Sequence, residues 1–445
     1  TPIFERESTF TIGDVAVAPS DPDVVWVGTG ETQPRHSGYS YAGTGVFRST
    51  DAGESWEHMG LTDTHHIGKV LLHPTDPDVV YVAAIGHFWS TNEERGVFRT
   101  TDGGESWEHV LFVSDHTGVV EMAMDPSDPA VLYAAAWDAV SGRPVEAGEE
   151  SGIYRSTDGG DSWQKLGGGL PEGPLGRIGL DVAPSQSSTV YAFVDDWAPS
   201  PVEDRDLTGG EVYRSDDRGE SWRKVNEDDL YEVFGVYGWK FTDVRVSPEN
   251  PDEIFILGNR GFHSADGGRT FQRIGEEIVR VHDTRGVIMH LDQHEIWIDP
   301  ANPDRILLGN DGGLYQSWDR GRTWLHLNNI PAAEFYAIAT DSREPYRIFG
   351  GTQDNAALYG PAHLSLEEMT TDPWENVYLD RWTGGDSFDT YLDPTDDRFV
   401  YYEHQHGALR RMDITDDQFL TSASESIRPR FETWEWRSGW YTPFI

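Results

Sequence analysis

Ser49-Thr50-Asp51-Ala52-Gly53-Glu54-Ser55-Trp56 is one copy of a phrase, Ser/Thr-x-Asp-x-Gly-x-Ser/Thr-aromatic, that the chain repeats. It returns at residues 100–107, 156–163, 215–222, 264–271 and 317–324. Recurrence at intervals of roughly 49 to 59 residues marks a repeat architecture. Asp51 can accept hydrogen bonds from the amides of its own turn, Gly53 supplies a positive φ, and Trp56 opens the next strand. The phrase speaks to architecture and says little about chemistry.

Around each copy the same order repeats. Residues 13–18 read as a strand, Pro19-Ser20-Asp21-Pro22 as a turn, 24–28 as a second strand, and 46–49 as a third leading into the Asp turn. The Pro/Asp turn recurs at His73-Pro74-Thr75-Asp76-Pro77, Asp125-Pro126-Ser127-Asp128-Pro129, Ser247-Pro248-Glu249-Asn250-Pro251 and Asp299-Pro300-Ala301-Asn302-Pro303. Such clusters between short apolar runs are strand–turn–strand punctuation. Residues 337–350 and 387–402 keep the first strand pair without the Asp turn. The expectation is all-β: a β-propeller of four-stranded antiparallel blades, seven or eight in number, six with Asp turns. Residues 1–445 read as one propeller. The apolar Thr442-Pro443-Phe444-Ile445 suggests a further propeller of the same protein beyond it.

Acidic residues outnumber basic ones 77 to 34, a net charge of −43. The only lysines are Lys69, Lys165, Lys224 and Lys240. So acidic a surface repels phosphate backbones and anionic lipid, which argues against nucleic-acid partners and membrane insertion. Carboxylate excess with lysine depletion resembles the proteins of extreme halophiles. With no cysteine there is no disulfide or thiolate chemistry. The compartment stays open, with a secreted or cell-surface setting ahead of a halophile's cytoplasm. No motif calls for a cofactor.

The Asp turns, together with Arg95-Gly96-Val97-Phe98-Arg99-Thr100-Thr101-Asp102-Gly103-Gly104, Leu308-Gly309-Asn310-Asp311-Gly312-Gly313 and Gly351-Thr352-Gln353-Asp354-Asn355, resemble the BNR/Asp-box repeat families. These include sialidases, tandem-propeller xyloglucanases and sortilin-type receptors; the likeness covers nearly the whole chain. It implies a ligand face made of the loops after each second strand and before each first strand, opposite the Asp turns. The partner it implies is a polysaccharide, or a peptide or protein.

Projected onto that face, the catalytic candidates are Asp311, Asp354 and Glu31, carboxylates at strand ends beside small residues. Glycoside hydrolysis needs two carboxylates flanking the scissile bond. The xyloglucanase-type Thr-Asp-x-Gly-Gly segment is matched most closely by Asn310-Asp311-Gly312-Gly313, whereas Gly30 stands at the Asp position of the first repeat. Ligand-binding candidates are His290, Asp292, His294, His87, Trp137, Arg260, Gln353, Glu403 and His404. On a single strand, His290, Asp292 and His294 would share one side. They could form a ligand-binding or catalytic network, hold a metal, or serve structure alone; no metal site is assigned. Trp89, Trp137, Trp197, Trp239 and Trp382 could stack on sugars or peptide side chains, or pack between blades. Two readings follow: a glycosyl hydrolase-related propeller that binds and cleaves polysaccharide, and a non-catalytic sortilin-like platform.

Overall fold

Each Asp turn closes its own sheet. In the computed structural model, Asp51 Oδ1 accepts the Ser49 hydroxyl at 2.7 Å and the Ser55 N–H at 2.8 Å, and Oδ2 accepts the Ser55 hydroxyl at 2.5 Å. The Ser49 oxygen accepts the N–H of Gly53, whose φ is +89°. The same bonds recur at Asp102, Asp158, Asp217 and Asp266. Side-chain hydrogen bonds to Ser55 and Ser49 hold the Asp51 carboxyl down at about 2.

The structure describes residues 3–32, 40–138, 147–202, 205–234, 237–276, 278–279, 289–327, 333–363, 375–377, 385–414, 424–428 and 438–444. They fall into two compact units, one of residues 1–274, 292–306 and 318–322, the other of residues 275–291, 307–317 and 323–445.

The first unit carries five antiparallel four-stranded sheets, each meandering in sequence order. The first contains Ile12–Val17, Val25–Thr29, Val46–Ser49 and Glu57–His58, close to the expected bounds. The next four open at Ile67–Leu72, Thr117–Met124, Leu175–Val182 and Asp243–Val246. Second strands such as Val80–Ala84 are buried throughout, which explains their unbroken apolar reading. Fourth strands such as Gln164–Lys165 and Arg223–Lys224 are two residues long, polar and exposed. Short, charged edges of this kind discourage pairing with other chains. Among the described residues one large apolar cluster joins the second, third and fourth sheets through Phe88, Trp137, Leu180, Val194, Trp222 and Trp239.

Five of the first strands carry charge at one repeated place, five residues before the turn proline; in the fourth sheet Gly179 stands there, ahead of Pro184. Asp14, Lys69, Glu121, Asp243 and Glu295 occupy it ahead of Pro19, Pro74, Pro126, Pro248 and Pro300. Lys69 Nζ lies 3.8 Å from both Asp14 and Glu121, and Arg245 bridges Glu121 at 3.7 Å, Glu295 at 3.0 Å and Asp243. Burial pushes Asp14 up to about 6.

The second unit has two complete antiparallel sheets. One runs Phe335–Thr340, Arg347–Thr352, Ala357–Pro361 and Glu375–Val377; the other Ser387–Leu392, Phe399–His404, Arg410–Asp413 and Ser424–Ser426. These are the two repeats expected to lack an Asp turn. The unit also holds the antiparallel pair Gly313–Ser317 and Trp324–His326, with Ile278–Val279 added in parallel.

Candidate functional site

In the second unit the strand ends bring several of the expected residues together. The strand ending at Asn310 runs into Asp311-Gly312-Gly313, and Arg347–Thr352 runs into Gln353-Asp354-Asn355. Asp311 and Asp354 each present a carboxylate oxygen within 4.8 Å of the other. Their backbones are tied: Asn355 Nδ2 donates to the Asp311 carbonyl at 2.7 Å. His290 Nε2 lies 2.9 Å from the Asp354 carbonyl. Gly312 is required here, because a Cβ on it would come within 2.5 Å of the His290 Cβ.

Asp354 has a left-handed φ of 58°, a conformation that Asp tolerates better than most residues. Buried Asp386 holds the turn, accepting the Asp354 N–H through Oδ1 at 3.0 Å. Asp386 Oδ2 accepts the Trp440 indole N–H at 2.8 Å and the Tyr336 hydroxyl at 3.3 Å. Trp440 keeps 53% of its surface exposed, so its ring is oriented at one edge and open on the rest.

The next two residues continue the pattern. The Tyr441 hydroxyl donates to Asp389 at 2.8 Å and the Thr442 N–H to Glu403 Oε1 at 3.2 Å. Glu403 is fully buried and its Oε2 has no hydrogen-bond partner among the described residues; burial pushes its carboxyl up to about 7. Gln353, with its amide nitrogen turned toward Glu334, donates to both carboxylate oxygens at 3.1 Å. His404 ends its strand with its ring against Gly385.

The remaining candidates lie in the first unit. Glu31 is tied into a local turn, accepting the Tyr41 N–H at 3.2 Å, and its carbonyl lies 2.7 Å from His66 Nδ1. His65 stacks on His87 with ring centroids 3.7 Å apart, while burial pushes buried His66 down to about 4. Arg260 is half-buried between two strands of the fifth sheet.

Two expectations are corrected. His290, Asp292 and His294 do not alternate on one strand: the strand begins at Gln293, and Asp292 has a φ of 66° and accepts the Asn259 amide at 2.6 Å. His294 packs edge-on to Phe241 instead. Trp137 is 0% exposed and stacks under the Arg177 guanidinium, so its ring serves packing and offers no face to a ligand. Trp239 is also buried, Trp89 is half-exposed, and Trp382 lies outside the described residues. The sequence reading passed over Trp440; its signal was the run Trp440-Tyr441-Thr442, an aromatic and two hydroxyl residues following the last repeat.

Chemically, the second unit offers two close carboxylates and a half-exposed indole fixed to their scaffold. At that spacing the two carboxylates repel one another when both are ionised.

The family model described as Sortilin, neurotensin receptor 3, matches residues 44–170. Xyloglucanase Xgh74A of Acetivibrio thermocellus is 24% identical over 382 residues, covering 72% of this chain and 42% of its own length. A probable oligoxyloglucan-reducing end-specific xyloglucanase of Neosartorya fischeri is 28% identical over 348 residues, covering 73% of this chain and 39% of its own. The chain thus spans less than half the length of these curated relatives. Among solved structures, a GH74 enzyme of Niastella koreensis superposes with a TM-score of 0.60 at 17% identity, over 94% of this chain and 59% of that one, a likeness of fold.

Proposed function

We propose that this all-β chain, which resembles BNR-repeat, sortilin-like propellers, binds a polysaccharide at the strand ends of its second unit and hydrolyses it there. Asp311 and Asp354 are the working carboxylates. The observation that carries this reading is the approach of their carboxylate oxygens, within 4.8 Å, at the short end of the ~5–5.5 Å spacing of a retaining pair. One carboxyl gives a proton to the leaving oxygen as the glycosidic bond breaks, and the other attacks the sugar carbon; water then displaces that carboxylate and returns its proton to the first. Trp440 supplies an apolar face for a sugar ring. The relatives' names point to a xyloglucan-type β-glucan as the first substrate to try.

The test is release of reducing ends from a β-glucan panel including xyloglucan, in low and molar salt. Wild type should release sugar, and Asp311→Asn and Asp354→Asn should each lose at least about 100-fold. No release by wild type would sink hydrolysis.

A second reading, a sortilin-like platform without chemistry, draws on the family match at residues 44–170, which excludes both aspartates. It expects ligand binding that survives both substitutions.

A further inference from the structure

The linker from the third sheet to the fourth, residues 166–174, is rich in glycine and borders a cavity of about 270 Å³ within the first unit. The cavity floor is hydrocarbon: Ile153, Leu175, Ile178 and Val194, each no more than 5% exposed. The linker is fastened to the fourth sheet. The Trp222 N–H donates to the Gly168 carbonyl at 2.7 Å, and a Cβ on Gly169 would meet the Trp222 carbonyl oxygen at 2.2 Å. Gly167 has no such neighbour. A Cβ there would meet nothing within 4 Å, so its bare backbone leaves the cavity open.

A second observation is independent of the cavity. Lys165, on its rim, is one of four lysines in a chain of net charge −43. Lys69 and Lys224 pair with carboxylates, whereas Lys165 meets none within ion-pair distance among the described residues. Its ammonium donates to the carbonyls of Glu149 and Glu150, both at 3.3 Å, which leaves one of its three N–H groups over. The backbone N–H groups of Gly167, Gly168 and Gly169 also donate to no acceptor among the described residues. Glu149 and Glu172 stand exposed on the same rim.

We propose that this cavity binds an aliphatic α-amino acid, with its side chain on the hydrocarbon floor, its carboxylate on Lys165 and the glycine N–H groups, and its ammonium toward Glu149 and Glu172. The charges select the head group. A simple carboxylate meets the repulsion of the whole chain and of both glutamates, and a simple cation meets that of Lys165. A ligand carrying both charges avoids each conflict. The floor selects the side chain, because a polar one would lose its hydrogen bonds to water there. The volume, just below the ~300–1,000 Å³ of drug-sized sites, suits a single amino acid. The cavity shares no residue with Asp311 and Asp354, and so does not depend on the hydrolytic reading.

Titration calorimetry of the whole chain with L-leucine tests the proposal, with L-leucinamide, N-acetyl-L-leucine and L-serine alongside. Leucine should bind saturably. The other three, which lack in turn the carboxylate, the ammonium and the apolar side chain, should bind at least tenfold more weakly. Lys165→Met, at an exposed strand position, should weaken leucine binding at least tenfold and leave the thermal melt unchanged. No saturable binding by leucine overturns the proposal. So does equal binding by any of the other three, or a Lys165→Met chain that binds leucine as wild type does.

Discussion

Asp386 accepts the backbone N–H of Asp354 at 3.0 Å while its other oxygen accepts the Trp440 indole N–H at 2.8 Å. The exposed aromatic and the candidate catalytic turn are therefore set by one buried carboxylate. Asp386→Ala should lower kcat on any accepted polysaccharide at least tenfold by releasing the Asp354 turn. Trp440→Phe, which keeps the ring but loses the N–H, should raise KM more than it lowers kcat. Equal effects of both on kcat alone would contradict the division of roles.

Arg95 is fully buried and meets no carboxylate within ion-pair distance among the described residues. Its guanidinium donates instead to Asn92 Oδ1 and to the carbonyls of Ile85, His87, Ser90 and His116. Burial pushes it down to about 10. Arg95→Met leaves those acceptors unsatisfied and should cost roughly 3 kcal/mol or more in denaturant unfolding. Arg95→Lys should rescue little, since an ammonium cannot reproduce the fork.

Asp51, Asp102, Asp158, Asp217 and Asp266 all sit at about 2, each below its ordinary 3.8. A depressed carboxyl stabilises the fold above its unfolded value and loses that contribution as the pH falls through its folded one. Stability should therefore drop between about pH 4 and 2, and each Asp→Asn substitution should flatten the drop. Urea melts across that window provide the measurement.

Glu403 has the opposite sign. Raised from 4.5 to about 7, it favours the folded state while protonated and penalises it as the pH rises through 7. Glu403→Gln should remove a decline between pH 4.5 and 7.5 worth up to about 3 kcal/mol. A variant whose profile matches wild type would show that the carboxyl titrates alike in the folded and unfolded chain.

A net charge of −43 on one chain repels itself most at low ionic strength. Thermal melting should rise steadily from 0.05 M to 2 M KCl. A flat response would remove the halophilic reading.

Local patterns in the sequence disclosed strands, turns and strand-end loops nearly to the residue, because each depends on neighbours a few positions away. Val46–Ser49 was read with its observed bounds, and Asp311 and Asp354 were placed at strand ends that meet. What escaped depended on conformation or on distant partners. The alternation of His290, Asp292 and His294 failed because a left-handed residue interrupts it. Trp137 gave the same aromatic signal as an exposed platform but lies in the core. The charges five residues before five of the turn prolines were visible as single letters, and their convergence was not. Trp440 lies more than fifty positions from the aspartate that orients it.

The Asp turns complete their side-chain bonding within four residues of each aspartate. Their formation needs no distant segment and carries almost no loop-closure entropy. As the chain emerges during synthesis, each third-to-fourth strand hairpin can close before the next repeat has been made. The first unit is then assembled from corners that already exist, leaving only the long first and second strands to find their neighbours.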